Sequence, residues 1–147
     1  MSSGTPGFGT HVDVMQGEVM TSAAGFEVLI RAYIDAYNRF DLDAMCALLS
    51  SDIRFEHHAN GKLGAEASGL LAFRALAETG AALFADREQR VTALLIDGQH
   101  AHANIVFRGT LGADVPGGPQ AGTVLALNGS SEFTCQDGCI SQIIDRG

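Results

Sequence analysis

The sequence predicts an α+β domain in which helices pack on one face of a curved, mostly antiparallel sheet. Three observations predict it. Apolar residues recur at helical spacing through the first half of the chain, long runs in the second half alternate like strands, and turn residues such as Asp-Gly join those runs. Helices first and a strand meander afterwards leave one sheet face to cover, and the helices are what covers it.

Residues 1–20 are glycine-rich, contain Pro6 and hold no sustained period, so they read as a flexible extension ahead of a domain spanning 21–147. The segment FEVLIRAYIDAYNRF, 26–40, is the first helix, with Phe26, Leu29, Ile30, Tyr33 and Tyr37 on one stripe. Asp41 is placed to cap a second helix whose apolar face is Leu42, Met45, Cys46 and Leu49. DIRFEHH, 52–58, alternates as a strand, with Phe55 and His57 on one face and Arg54, Glu56 and His58 on the other. GLLAFRALAETGAALF, 69–84, is the third helix: Leu70, Phe73, Ala77 and Phe84 form its inner stripe, and Gly80 is its weak point.

Only strands follow. RVTALLI turns at Asp97-Gly98 into HAHANIVFRGTL, a strong hairpin signal. The glycines and prolines of LGADVPGGPQAG, 111–122, make it a long loop. TVLALNGSSEFTC, the turn QDG and ISQIID close the chain with another hairpin.

At 147 residues with 46% apolar content, the chain is one domain with a real core. A net charge of −8 argues against a phosphate-binding surface, so nucleic acid is not an expected partner. No apolar run approaches the roughly 20 residues that span a bilayer, and MSSGTPGFGT lacks the features of a secretion signal; a cytoplasmic protein without a membrane partner is expected. Cys46 reads as a small core residue. Cys135 and Cys139 flank the QDG turn, where they could face each other across a hairpin, and read as reduced thiols. His100 and His102 form an H-x-H pair. Counting from the turn puts Ala101, Ala103, Ile105 and Phe107 inward and the histidines outward, toward an interface or solvent rather than a metal.

The N-x-x-D-L-D-A turn at Asn38, the S-S-D-I-R-F strand start at Ser50 and the D-G-C-I-x-x-I-x-D finish at Asp137 resemble the SnoaL-like branch of the nuclear-transport-factor-2-like superfamily, a relative of ketosteroid isomerase, over about residues 26–146. The resemblance implies a conical half-barrel, a strongly bent sheet wrapped around three N-terminal helices and enclosing a hydrophobic cavity, whose mouth the loop 111–122 is expected to cover. It also implies a homodimer formed through the outer sheet face. Laid on the ketosteroid isomerase pattern, Tyr33 falls on the tyrosine that donates to the substrate oxyanion, His57 on the aspartate that moves the proton, and Ser131 on the protonated aspartic acid of the oxyanion hole. Only the first of these matches in residue type.

These positions lead to a cofactor-free isomerase, dehydratase or cyclase acting on an apolar carbonyl compound. His57, inward beside Phe55 and partly desolvated, is the expected acid-base group, with Tyr33 and Ser131 stabilising charge. Tyr37, Phe55, Phe73, Ala101, Ala103, Ile105, Phe107 and Phe133 are the expected cavity lining, the small residues Ala101, Ala103 and Gly129 leaving room for the ligand. Asp145 and Glu56 are candidates to orient a histidine, although strand carboxylates more often face solvent. The missing carboxylates support a different reading, a dimeric ligand-binding or protein-interaction module of the same fold without chemistry.

Overall fold

The structure of the protein, a computed structural model, describes residues 12–15 and 18–147. Strands β1 (Val12–Met15) and β2 (Glu18–Thr21) pair antiparallel, Val12 opposite Thr21, where the sequence had announced no element. The remainder of the expected extension lies outside the described residues.

Helix α1 (Ala23–Asn38) begins where Ser22 Oγ accepts a hydrogen bond from the Gly25 amide at 3.0 Å. It buries Phe26, Leu29, Ile30 and Tyr33, as its stripe predicts. Without the cap hydroxyl the first turn keeps an unpaired donor, so Ser22→Ala should lower unfolding free energy by about 1 kcal/mol in urea titration. After Asn38 the chain turns through Phe40 at φ 58°, and Asp41 caps α2 (Leu42–Ala47) by accepting from the Ala44 amide. That bond holds its carboxyl below the usual range.

Strand β3 (Leu49–Ala59) and β4 (Lys62–Ser68) form a hairpin around Asn60 and Gly61, both at positive φ. The sequence reading left β4 unassigned, although Asn-Gly is the strongest short hairpin signal. Helix α3 (Leu70–Leu83) then leads into the meander β5 (Phe84–Asp97), β6 (His100–Leu111), β7 (Val124–Gln136) and β8 (Cys139–Arg146). The order is β4-β3-β8-β7-β6-β5, antiparallel throughout except β3 against β8. Register shifts at His57/His58, Phe84/Asp86, Val91/Ala93 and Thr134/Cys135 bend the strands, since each extra residue adds local twist. The result is the curved, unclosed half-barrel around three helices that the resemblance implied.

The N-x-x-D corner acquires a physical meaning here. Asn38 Nδ2 donates to the Gln89 carbonyl at 3.0 Å and Asn38 Oδ1 accepts from the Gln89 amide at 2.7 Å, so a side chain at the end of α1 satisfies the edge strand β5. Cys135 pairs with Ile140 and Cys139 with Gln136, so the two thiols are offset rather than opposite, and both are free. The connection from 112 to 123 folds on itself, the Ala121 amide bonding Asp114 Oδ1 at 2.7 Å and the Val115 amide the Pro119 carbonyl. None of its residues lines the cavity it was expected to cover. No helix among the described residues is long and apolar enough to cross a membrane.

Candidate functional site

Across the sheet one row of paired residues runs Ala65 on β4, His57 on β3, Asp145 on β8, Ser131 on β7 and Ala103 on β6. Side chains at paired positions point to the same face, so this register alone brings a histidine, a carboxylate and a hydroxyl together on the concave side. Ser131 Oγ donates to Asp145 Oδ1 at 2.6 Å. Both residues, with His57 and Tyr33, line a pocket of about 510 Å³ between α1, α3 and the sheet.

The apolar walls come from facing elements. Phe55 meets Phe73 of α3 edge to face at 5.7 Å between centroids, and Phe84 meets Phe107 in the same way at 5.4 Å. Leu76, Ala77, Gly80 and Leu83 of α3 also line the space. This explains why Phe73 is the one fully buried residue of that apolar helix: its inner stripe faces a void instead of packed side chains.

Burial sets the electrostatics. Desolvation raises the Asp145 carboxyl above its ordinary range, partly opposed by the Ser131 hydroxyl and by His57. Desolvation also raises the Tyr33 phenol well above its ordinary value, and Asp145 adds to the effect; Tyr33 therefore stays protonated and able to donate. Tyr37 is raised by burial, with Arg87 pulling the other way.

The predicted site residues divide clearly. Tyr33, His57 and Ser131 do share one pocket, together with Tyr37, Phe55, Phe73, Ile105 and Phe107. Ala101, Ala103 and Phe133 do not line it: they are 6%, 0% and 1% exposed and belong to the packed core. Helix α1 fills the space above them, Tyr33 stacking edge to face on Phe133 at 6.2 Å, so the two alanines make room for core side chains rather than for a ligand. Gly129 does line the pocket, but for a backbone reason. A Cβ there would lie 2.4 Å from the Arg146 carbonyl oxygen, where the end of β8 crosses β7.

His57 is exposed at the pocket rim instead of partly desolvated. His58 takes the outer face and meets Glu56 Oε1 at 2.8 Å, so Glu56 orients His58 and not His57. Of the two carboxylates that the sequence offers as partners of a histidine, Asp145 is the one inside the pocket. Its inward phase is hidden by the register shift in β8: Ile140 and Ile143 are both buried though three apart, and only counting on from Ile143 turns Asp145 inward. Arg87 was missed for a related reason. It lies in the charged run DREQR, yet its alternation partners Gln89 and Val91 point inward with it. His100 and His102 are exposed on the outer face, near Thr134 and Asn104 respectively.

The sequence profile of the family described as SnoaL-like domain matches residues 30–143. Among solved structures, the chain is similar to a candidate polyketide cyclase from Xanthomonas campestris pv. campestris, with 28% identity over 81% of this chain and 87% of that one and a TM-score of 0.71. A candidate polyketide cyclase from Pseudomonas putida KT2440 is 29% identical over 80% of this chain and 86% of that one, with a TM-score of 0.64. A protein of ketosteroid isomerase-like fold from Catenulispora acidiphila DSM 44928 shares 19% identity over 80% and 82% of the two chains at a TM-score of 0.66, a likeness of fold alone. No curated protein matches the chain. With the profile covering most of the sequence and the half-barrel in place, the chain belongs to the SnoaL-like domain family.

Proposed function

We propose that the protein is a cofactor-free acid-base enzyme of isomerase, dehydratase or cyclase type, acting on an apolar carbonyl compound. The observation that carries this reading is the Ser131–Asp145 pair, a carboxyl raised by burial at the wall of an apolar pocket. A carboxylate with a raised pKa is a stronger base, and the apolar walls around it keep it so. Asp145 takes over the role that the alignment assigned to His57. It removes a proton from the carbon next to the substrate carbonyl, and the electron pair moves onto the carbonyl oxygen. Tyr33, held protonated, donates to that oxygen. Return of the proton at another carbon gives isomerisation, loss of a β-hydroxyl as water gives dehydration, and attack of the enolate on a second carbonyl gives ring closure. Ser131 orients Asp145, and His57 at the rim exchanges protons with solvent.

The name carried by two of the similar structures, polyketide cyclase, supports the same class of substrate. A homodimer through the outer sheet face belongs to the proposal. The outer row Leu95, His102, Glu132, Ile144 holds Leu95 at 72% exposure, an apolar residue that a second copy would cover.

Solvent exchange tests the chemistry without the natural substrate. In deuterium oxide the protein should accelerate exchange of the α-protons of 2-tetralone, followed by proton NMR, and Asp145→Asn should remove the acceleration. If 2-tetralone raises the melting temperature but exchanges no faster than in buffer, the non-catalytic binding module is the correct reading.

A further inference from the structure

We propose that the ligand of this pocket carries a carboxylate and that Arg87 is its anchor. This rests on the reading of the pocket as a small-molecule site and goes beyond it by naming a chemical handle on the ligand.

Arg87 lines the pocket from β5 and is only 7% exposed. Its guanidinium is held in a socket built by the corner after α1. Nε donates to the Tyr37 carbonyl at 3.0 Å, and the guanidinium carbon lies 3.7 Å from the centroid of the Tyr37 ring and 4.4 Å from that of Phe40. The strained φ of Phe40 and the two Asn38 bonds to Gln89 fix both sides of this socket. Position and plane of the cation are therefore determined before any ligand arrives.

What the socket leaves without a partner is one end of the guanidinium. Nη2 is buried and, among the described residues, no group accepts from it. Burial lowers the Arg87 pKa, and the groups that oppose the effect are the two tyrosines; no carboxylate is among them. Asp145, the acid of the same pocket, is bonded by Ser131 Oγ and sits opposite His57 across the strands, and among the described residues no ion pair joins it to Arg87. A buried cation with a free donor edge is costly unless an acceptor meets it, and the ring stacking offsets only part of that cost. If the residue served only to hold the corner, Nε and the stacked plane would suffice.

The geometry selects the ligand group. Two Nη atoms in one plane match the two oxygens of a carboxylate. A dianion such as phosphate is disfavoured, because one cation would have to balance it beside Asp145 in a chain of net charge −8. The ligand is thus a largely apolar molecule whose carboxylate meets Arg87 while its reacting carbonyl reaches Tyr33 and Asp145 in the same pocket.

Calorimetric titration of the whole chain with 2-naphthoate and with 2-naphthamide, at pH 7, separates charge from shape. The wild-type protein should bind 2-naphthoate at least tenfold more tightly than the amide, and Arg87→Gln should erase that preference while leaving the amide affinity in place. Arg87→Lys, which keeps the charge but lacks the planar fork, should retain part of it. Equal affinities in the wild type overturn the anchor while the apolar pocket stands, as does a preference that survives in Arg87→Gln. The wild-type comparison decides even if a variant fails to fold. Absence of binding by both compounds overturns the anchor and the pocket together, whereas normal binding without α-proton exchange removes only the catalytic role of Asp145.

Discussion

Replacing Asp145 with Asn should lower turnover by about 10²–10⁴-fold, the range expected for loss of one general base, and should not unfold the protein. The amide keeps the shape of the carboxyl and can still meet Ser131 Oγ, so the Ser131–Asp145 row survives in geometry. What disappears is a group able to accept a proton from carbon. Stability should move in the opposite direction to activity. Burial favours the protonated form of Asp145, so its folded pKa lies above the unfolded value near 3.8. Its contribution to stability is fully present below that unfolded value and is lost as pH rises through the raised folded value. Above this window the wild type carries a desolvated carboxylate that the Asn variant lacks. Melting temperatures recorded from pH 4 to 8 should therefore show Asp145→Asn gaining on the wild type with increasing pH, while its kcat stays low throughout. Full activity in the variant would remove Asp145 from the chemistry and return the role to His57.

Phe133→Ala should cost about 3–5 kcal/mol of unfolding free energy, the usual penalty for emptying a packed aromatic site. Phe133 is 1% exposed, packs edge to face on Tyr33 and belongs to the buried core cluster, so its deletion leaves a cavity that the surrounding core fills only in part. Phe107→Ala should cost clearly less, because one side of that ring already faces the pocket and its deletion enlarges a space that exists. Denaturant titration of the two variants compares them directly. Equal costs would mean that Phe107 is core as well, and the pocket wall would have to be redrawn. The Phe133 variant should also disturb ligand binding indirectly, since the Tyr33 ring that it supports would lose its seat.

Local periodicity is what made the architecture legible. The stripe of α1, the Asp41 cap and the Asp-Gly turns are short-range features, each fixed by a few neighbouring residues, and appear where the sequence put them, whereas Phe84, expected on the inner stripe of α3, opens β5 instead. The β4 strand is equally legible, since Asn60-Gly61 marks the turn that pairs it with β3. The inward set of β6 followed correctly from counting along an uninterrupted strand.

The sequence by itself determined the fold class, the family resemblance, and the meeting of Tyr33, His57 and Ser131 at one pocket. Three things were decided only in the tertiary structure. The shift in β8 reset its alternation and brought Asp145 inward, because a bulge changes which face every later residue takes. The placement of α1 and α3 decided which inward rows are filled and which are open, so Ala101, Ala103 and Phe133 became core while Phe55 and Phe107 became wall. The corner from Tyr37 to Asp41 gathered Arg87 from a strand about 50 residues away. No pattern within one segment reports such an event, since it depends on two segments meeting and on the side chains that each brings to the contact.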